Sequence, residues 1–134
     1  MKSSVENPWS VGEVAAKFDL PTNVLRHWES VGLLTPARDA AGRRRYGQDE
    51  VVRIAVIQRS KAAGMTLDQI GVMLDDGAAE RHQVLQRHLD DLDSRMEEMR
   101  RSREMTEHAM GCRSHDIATC PRFRASVADV LARL

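Results

Sequence analysis

The sequence predicts a mostly α-helical fold: an N-terminal winged helix-turn-helix, a long helix for an antiparallel coiled coil, and a short C-terminal helix. Two short amphipathic segments before an arginine-rich hairpin predict the first part. An apolar stripe of about four heptads predicts the second. Aromatic residues are 4% and charged residues 30%, a composition that favours a long solvated helix over a large core.

Capping residues delimit the first two helices. Ser10 and Glu13 have the spacing of a capping box, and Thr22 is expected to cap the second helix, which Gly32 ends. Residues 1–8 are expected to be a frayed leader. The inward-facing apolar positions of the two helices are Val11, Val14, Ala15, Phe18, Val24, Leu25 and Trp28.

A hairpin and two further helices complete the predicted N-terminal domain. Residues 34–46 have β-type ends around a polar, glycine-containing tip, which predicts a wing. A third helix is expected over 48–63, with Gly64 as its stop, and Thr66 caps a fourth. The predicted buried positions are Val51, Val52, Ile54, Ala55, Ile57, Leu67, Ile70, Met73 and Leu74.

The long helix is expected over residues 79–110. Alternating steps of three and four residues connect His82, Leu85, Leu89, Leu92, Met96, Met99, Arg103, Thr106 and Met110. This spacing predicts a dimeric coiled coil, because so small a domain cannot cover the whole stripe; the alternative is a helix that folds back on its own domain. The predicted division is therefore 9–75, 76–111 and 112–134.

Charge and composition narrow the function classes. Residues 1–63 carry a net charge of +3 and residues 64–134 carry −3, so the basic half would hold a nucleic-acid reader. The sequence has neither a membrane-spanning apolar run nor a signal peptide, which predicts a cytoplasmic protein without a membrane partner and with reduced cysteines. The sequence contains no set of nucleophile, base and acid, so we do not expect an enzyme.

The second helix and the wing carry the candidate DNA contacts. These are Thr22, Asn23, Arg26, His27, Arg43, Arg44, Arg45 and Tyr46. Arg26 suits a guanine edge or a phosphate, and Asn23 suits adenine or a phosphate; the alternative is a solvated helix face. Three consecutive arginines are unfavourable on a sheet edge unless phosphates neutralise them. Tyr46 fits an anchor of the wing better than a DNA contact, and Trp28 fits the core.

Three motifs resemble the MerR family of bacterial transcription regulators over roughly residues 9–111. They are Arg26-His27-Trp28-Glu29, Gly32-Leu33-Leu34 and Gly42-Arg43-Arg44-Arg45-Tyr46. The resemblance implies a homodimer on double-stranded promoter DNA that bends and untwists an overlong spacer, and so reaches RNA polymerase indirectly through the promoter. His27 and Arg43 stand where the family commonly has aromatic residues, which would alter the operator sequence.

Two cysteines mark a sensor loop in residues 112–134. Cys112 and Cys120 have seven residues between them, and Pro121 suits the start of a helix over 121–132. Cys120 would then lie at the positive end of that helix, where a thiolate is favoured. Two thiolates suit a soft ion such as Cu(I). His115 and Asp116, with His82 from a partner helix, are candidate accessory ligands that would suit Zn(II) instead.

This loop resembles that of the copper-efflux branch of the family, in which two cysteines, the second followed by proline, hold a monovalent ion linearly. The resemblance implies that Cys112 and Cys120 are the ligands, and no cysteine precedes Cys112, unlike in the family's divalent sensors. Other interpretations stay open: a redox couple, a small-molecule signal, or a constitutive DNA-binding protein with inert thiols. His88 and His108 are expected to be solvated.

Overall fold

The computed structural model describes residues 6–134 and confirms the mostly helical fold. The elements are α1 (Val11–Lys17), α2 (Thr22–Ser30), β1 (Ala37–Arg38), β2 (Arg44–Arg45), α3 (Gln48–Ala62), α4 (Leu67–Leu74), α5 (Arg81–Gly111), α6 (Pro121–Ser126) and α7 (Ala128–Leu131). A short 3-10 turn covers Ile117–Thr119. The chain divides into two compact units, one ending at Gln86 and the other spanning Arg87–Leu134, so the boundary between these units falls inside α5.

The first unit has a small apolar core contributed by α1 to α4 and the segments that join them. Its fully or nearly buried members are Val14, Ala15, Leu25, Trp28, Leu33, Leu34, Tyr46, Ile54, Ile57, Met65 and Ile70. Burial of each large side chain contributes about 1.5–3 kcal/mol, so the core holds α2 firmly against its neighbours. The predicted core position of Trp28 is confirmed.

Capping boxes explain where α1 and α4 begin. The Ser10 hydroxyl accepts from Glu13 N at 3.2 Å, while the Glu13 carboxylate accepts from Ser10 N at 3.3 Å. Thr66 makes the same reciprocal pair with Gln69 at the start of α4. The prediction for Thr22 is wrong: it is the first residue of α2, and Pro21, in extended conformation, occupies the cap position without a side-chain bond.

Four smaller predictions differ from the structure. Val52 is 57% exposed because it lies on the outer face of α3. The long helix begins at Arg81, since residues 79–80 form a turn. The expected helix over 121–132 divides into α6 and α7 at Val127, whose φ of −119° is not helical. Asn7 is buried rather than frayed, and residues 1–5 of the predicted leader lie outside the described residues.

The wing is a minimal antiparallel hairpin. Ala37 pairs with Arg45 and Arg38 with Arg44. At the tip, one Asp39 carboxylate oxygen accepts from Ala41 N at 3.0 Å and from Arg43 N at 2.9 Å, and Gly42 takes a positive φ of 79°. The tip is thus held by an aspartate and a glycine, the residues that favour such turns.

The second unit consists of the greater part of α5 and the C-terminal segment. Phe123 of α6 is buried against the His108 ring of α5, with ring centroids 5.1 Å apart at an angle of 62°. By contrast, Leu89, Met96 and Met99 are 54%, 67% and 70% exposed. In residues 6–134 we find no helix with the length and apolar character needed to cross a membrane.

Candidate functional site

One exposed surface of the first unit carries the predicted DNA contacts of α2. Asn23, Arg26 and His27 are exposed, and Thr22 is half-buried. All four lie in the first two turns of α2, whose opposite face, formed by Leu25 and Trp28, is buried. A recognition helix needs this arrangement, with its polar N-terminal end free to enter a groove.

The three wing arginines have different environments. Arg43 is 79% exposed and makes a 3.1 Å ion pair with Asp39. Arg44 is only 27% exposed and binds the Glu29 carboxylate, while Arg45 donates from Nε to Asn7 O at 3.2 Å and also contacts Pro8 O. Arg44 is therefore already paired with a carboxylate, whereas the carbonyls that bind Arg45 carry no charge. Neutralisation of the three arginines by phosphates stays a prediction.

Tyr46 is excluded as a side-chain contact to DNA because it is completely buried. Its backbone pairs with Trp9 in both directions, at 3.1 and 2.8 Å, which fixes the end of the wing to the start of the domain. The Tyr46 hydroxyl has no hydrogen-bond partner among the described residues.

Glu29 joins α2 to the wing. Its carboxylate accepts from Arg38 Nη2 at 3.0 Å and from Arg44 Nε. Partial burial raises the pKa of Glu29, but the hydrogen bonds and positive charges of Arg44 and Arg38 outweigh it and leave the pKa below its ordinary value. The wing is therefore oriented relative to α2 by an ionised carboxylate.

A second candidate site lies in the second unit, where two thiols and an imidazole meet. The sulfurs of Cys112 and Cys120 are 3.7 Å apart, and His108 Nε2 lies 3.2 Å from the Cys120 sulfur. All three donor atoms lie within 4.8 Å of one another, and this is the one such group of three in the described part of the chain.

The local fold explains how these side chains meet. His108 lies in the last turn of α5, and Cys112 follows directly after the helix ends at Gly111. The 3-10 turn then returns the chain, with the Asp116 carboxylate accepting from Ala118 N at 2.9 Å. Cys120 precedes Pro121 and occupies the cap position of α6, where it is 4% exposed.

The pKa of the Cys120 thiol is lowered to about 6. The largest cause is the hydrogen bond from the Phe123 backbone N–H; the His108 ring, the Arg122 backbone and Cys112 also lower the pKa, against the opposing effect of burial. Thiolates at helix N-termini are stabilised in this way. The thiolate, which is the form that binds metals, is therefore favoured at Cys120 relative to an ordinary cysteine.

The structure brings together only part of the predicted ligand set. His115 is exposed and outside the cluster, and the Asp116 carboxylate caps the 3-10 turn. The predicted role of His82 depends on a second copy of the chain, so the single chain does not test it. His108 was expected to be solvated, and that prediction is wrong: it is half-buried against Phe123 and completes the cluster.

The donor set fits a soft or borderline metal ion. Two sulfurs and one imidazole nitrogen are ligands that select Cu(I) or Zn(II), whereas Mg²⁺ and Ca²⁺ need oxygen ligands. The pKa of the Cys120 thiol is lowered, and the group is shielded from solvent around Cys120. The residues present therefore fit a thiophilic ion.

Comparisons with known proteins agree with the fold. A model of the MerR helix-turn-helix regulatory proteins matches residues 9–77, and a MerR DNA-binding model matches residues 51–108. The transcriptional activator TipA of Streptomyces coelicolor is 32% identical over 89% of this chain and 47% of TipA. The chain thus spans about half the length of that relative.

Two solved structures extend the comparison. The regulator PbrR691 of Ralstonia metallidurans, in complex with lead(II), is 28% identical with a TM-score of 0.53 and covers 87% of this chain and 98% of its own. HiNmlR, a MerR family regulator bound to promoter DNA, is 23% identical with a TM-score of 0.64. The match covers 77% of this chain and 87% of the HiNmlR chain, and it shows the fold alone.

Proposed function

The chain belongs to the MerR family of helix-turn-helix regulatory proteins, and on that premise we propose that it is a homodimeric transcription regulator that binds promoter DNA and responds to a thiophilic metal ion. The observation that supports the metal response is the 3.7 Å distance between the sulfurs of Cys112 and Cys120, which lie beside the His108 imidazole. Relatives that regulate transcription, such as TipA, support the general role over an enzymatic one.

The exposed surface of α2 and the tip of the wing would contact the DNA. Arg26 and Asn23 are placed to reach base edges or phosphates, and Arg43 extends from the wing towards solvent. Such a dimer would act by bending and untwisting the promoter spacer, so that its effect on RNA polymerase passes through DNA deformation. HiNmlR, which shares the fold, was crystallised bound to promoter DNA.

The dimer is supported by the apolar stripe of α5. Leu89, Met96 and Met99 are each more than half exposed in a single chain, at the spacing of a coiled-coil seam. A second copy, running antiparallel, would cover them. This dimer would set the distance between the two DNA-binding surfaces, and a change near its end could alter that distance.

The proposed signal is an ion held by Cys112 and Cys120, with Cu(I) as the first candidate and Zn(II) as the alternative. The ion would supply a bridge between the end of α5 and the start of α6, since the two thiols belong to those two places. Backbone N–H groups lower the pKa of Cys120, so little free energy would be needed to remove its proton when the ion binds at neutral pH. PbrR691, which was crystallised with lead(II), supports a thiophilic signal.

A redox response is a second candidate function, favoured by the same 3.7 Å separation. A disulfide needs the sulfurs at about 2.05 Å, a small movement for side chains in a surface loop. The low pKa of Cys120 would make it the thiolate that a peroxide oxidises to a sulfenic acid, and the Cys112 thiol would then displace water from that sulfur to form the disulfide.

The experiment is transcription in vitro from a promoter that the wild-type protein selects, under anaerobic conditions, with Cu(I), Ag(I) or Zn(II) added. Wild type should respond to an ion at one per protomer. Cys112→Ser and Cys120→Ser should keep promoter binding and lose the response, and Ser114→Ala, in the same loop, should behave as wild type. A response to oxidant that needs no metal would favour the redox function, and an unchanged response in both serine variants would remove the thiols from the signal.

A further inference from the structure

The thiol site contains a third donor that the family resemblance does not supply. We propose that His108 is a metal ligand, so that Cys112, Cys120 and His108 form a Cys2His site for a divalent ion of the zinc class. This inference rests on the proposed metal response, and it changes the expected ion from a two-coordinate monovalent one to one that accepts imidazole.

The distances favour a bent arrangement of the two sulfurs over a linear one. With metal–sulfur bonds of about 2.3 Å, two thiolates stand about 3.8 Å apart around a tetrahedral ion but about 4.6 Å apart around a linear one. The observed separation is 3.7 Å. A sulfur and an imidazole nitrogen on a tetrahedral ion stand about 3.6 Å apart, and the observed 3.2 Å from His108 Nε2 to Cys120 Sγ needs an opening of only a few tenths of an ångström.

The His108 ring is held in place before any ion arrives. It packs edge-on against Phe123, which is 8% exposed, and it belongs to the last turn of α5. A ligand fixed by packing loses little conformational entropy when it binds. Because the ring contacts α6 while its backbone belongs to α5, the same side chain would connect the ion to the packing between these two helices.

Charge also favours a divalent ion. Two thiolates and a neutral imidazole give no net charge with a divalent ion, but leave one negative charge with a monovalent ion. Cys120 and Phe123 are buried, and an uncompensated charge beside them is costly. A cavity of about 500 Å³ borders His108 and Phe123. A three-ligand zinc site leaves its fourth position to a water molecule.

The test is anaerobic titration of the full-length reduced protein with Zn(II), Co(II) and Ag(I) against a competing chelator. The variants are His108→Ala and the bulkier His108→Gln, with His115→Ala as the matched control because His115 is an exposed histidine of the same loop. Wild type loaded with Co(II) should show thiolate charge-transfer bands and the intense ligand-field bands of four-coordination. Both His108 variants should lose Zn(II) affinity by at least about 100-fold, beyond the range of outer-shell substitutions, and should keep Ag(I) affinity within about threefold.

X-ray absorption at the zinc edge gives a second measurement that does not depend on a His108 variant folding. On the His115→Ala background, the zinc should be bound by two sulfurs and an imidazole. Equal Zn(II) affinity in wild type and the His108 variants, or sulfur ligands without imidazole, would overturn the proposal and leave the proposed function intact. Tight Ag(I) with weak Zn(II) binding in wild type would do the same. Failure of every ion to bind wild type would refute both proposals.

Discussion

At the scale of single residues, arginine has two different roles in the first unit. Arg26 is exposed on α2, and Arg43 is 79% exposed at the wing tip, where it pairs with Asp39, whereas the guanidinium of Arg45 donates to backbone carbonyls of Asn7 and Pro8. A charged side chain whose hydrogen bonds connect distant parts of the fold contributes to stability, and one that is mostly exposed is available to DNA. Position in the sequence does not distinguish these roles, because both kinds occur in the same wing.

We therefore expect opposite effects from two alanine substitutions. Arg26→Ala should leave the free energy of unfolding within about 0.5 kcal/mol and weaken DNA binding by about tenfold or more, through loss of a base or phosphate contact. Arg45→Ala should lower the free energy of unfolding by about 1–2 kcal/mol, because two backbone acceptors lose their donor. Thermal unfolding and binding to a duplex selected by wild type measure both effects. A stable Arg45→Ala protein with weak DNA binding would contradict this assignment.

The cysteine pair was predictable from the sequence, and its histidine was not. Two cysteines with a proline after the second indicate a loop that returns to a helix start. The missed signal was the four-residue spacing from His108 to Cys112, which places both on one face of any helix that extends to residue 112. His115, within the loop, is closer to both cysteines in sequence, but loop conformation decides where it points, and no periodicity governs that.

At the scale of elements, the wing depends on one carboxylate. The two strands are only two residues long and share a single short ladder, which is marginal without further support. Glu29 provides that support by binding Arg38 of β1 and Arg44 of β2 from α2. The motif that suggests DNA binding in the sequence thus contains, in Glu29, the residue that orients the wing.

Glu29→Gln should loosen the wing and lower the free energy of unfolding by about 1 kcal/mol at neutral pH, since both ion pairs are lost and they are partly exposed. The folded-state pKa of Glu29 is depressed, so its contribution is complete above its ordinary value of 4.5 and is lost as pH falls through the lower folded-state value. The difference between variant and wild type should therefore shrink in acid. Chemical denaturation at several pH values measures it.

A control for this prediction is Glu98→Gln on α5, where an exposed glutamate should be silent at each pH. A Glu29→Gln protein with wild-type stability at neutral pH, or a difference that grows in acid, would show that the ion pairs do not hold the wing.

Most helix boundaries were predictable, because they depend on local chemistry. The capping boxes at Ser10 and Thr66 and the glycine stops at Gly32 and Gly64 all hold in the structure. Local chemistry failed at Thr22, because Pro21 occupies the cap position of α2. Two other failures have no local signal. Val127 interrupts the C-terminal helix although no proline or glycine marks it, and Val52 is apolar but faces outward.

At the scale of the whole molecule, the exposed stripe of α5 is the feature that a single chain leaves unexplained. Met96 and Met99 are exposed by two thirds or more, on a helix whose other faces carry ion pairs such as Arg100 with Glu97 and Glu104. Exposed apolar side chains arranged in a row indicate an interaction surface. The coiled-coil spacing makes a second copy of α5 the natural partner.

The substitution Met96→Glu tests this arrangement, with Ser94→Glu as its control. Two residues correspond to about 200° around a helix, so the control adds the same charge on the opposite side of α5. Wild type and Ser94→Glu should both have the mass of a dimer by light scattering at micromolar concentration. Met96→Glu should raise the dimer dissociation constant at least about tenfold, because burying a glutamate in the seam on both copies leaves two unpaired charges. Promoter binding should weaken together with dimerisation, because two linked DNA-binding surfaces bind a palindrome far more tightly than one surface does. A monomeric wild type, or equal masses for both variants, would contradict the proposed seam.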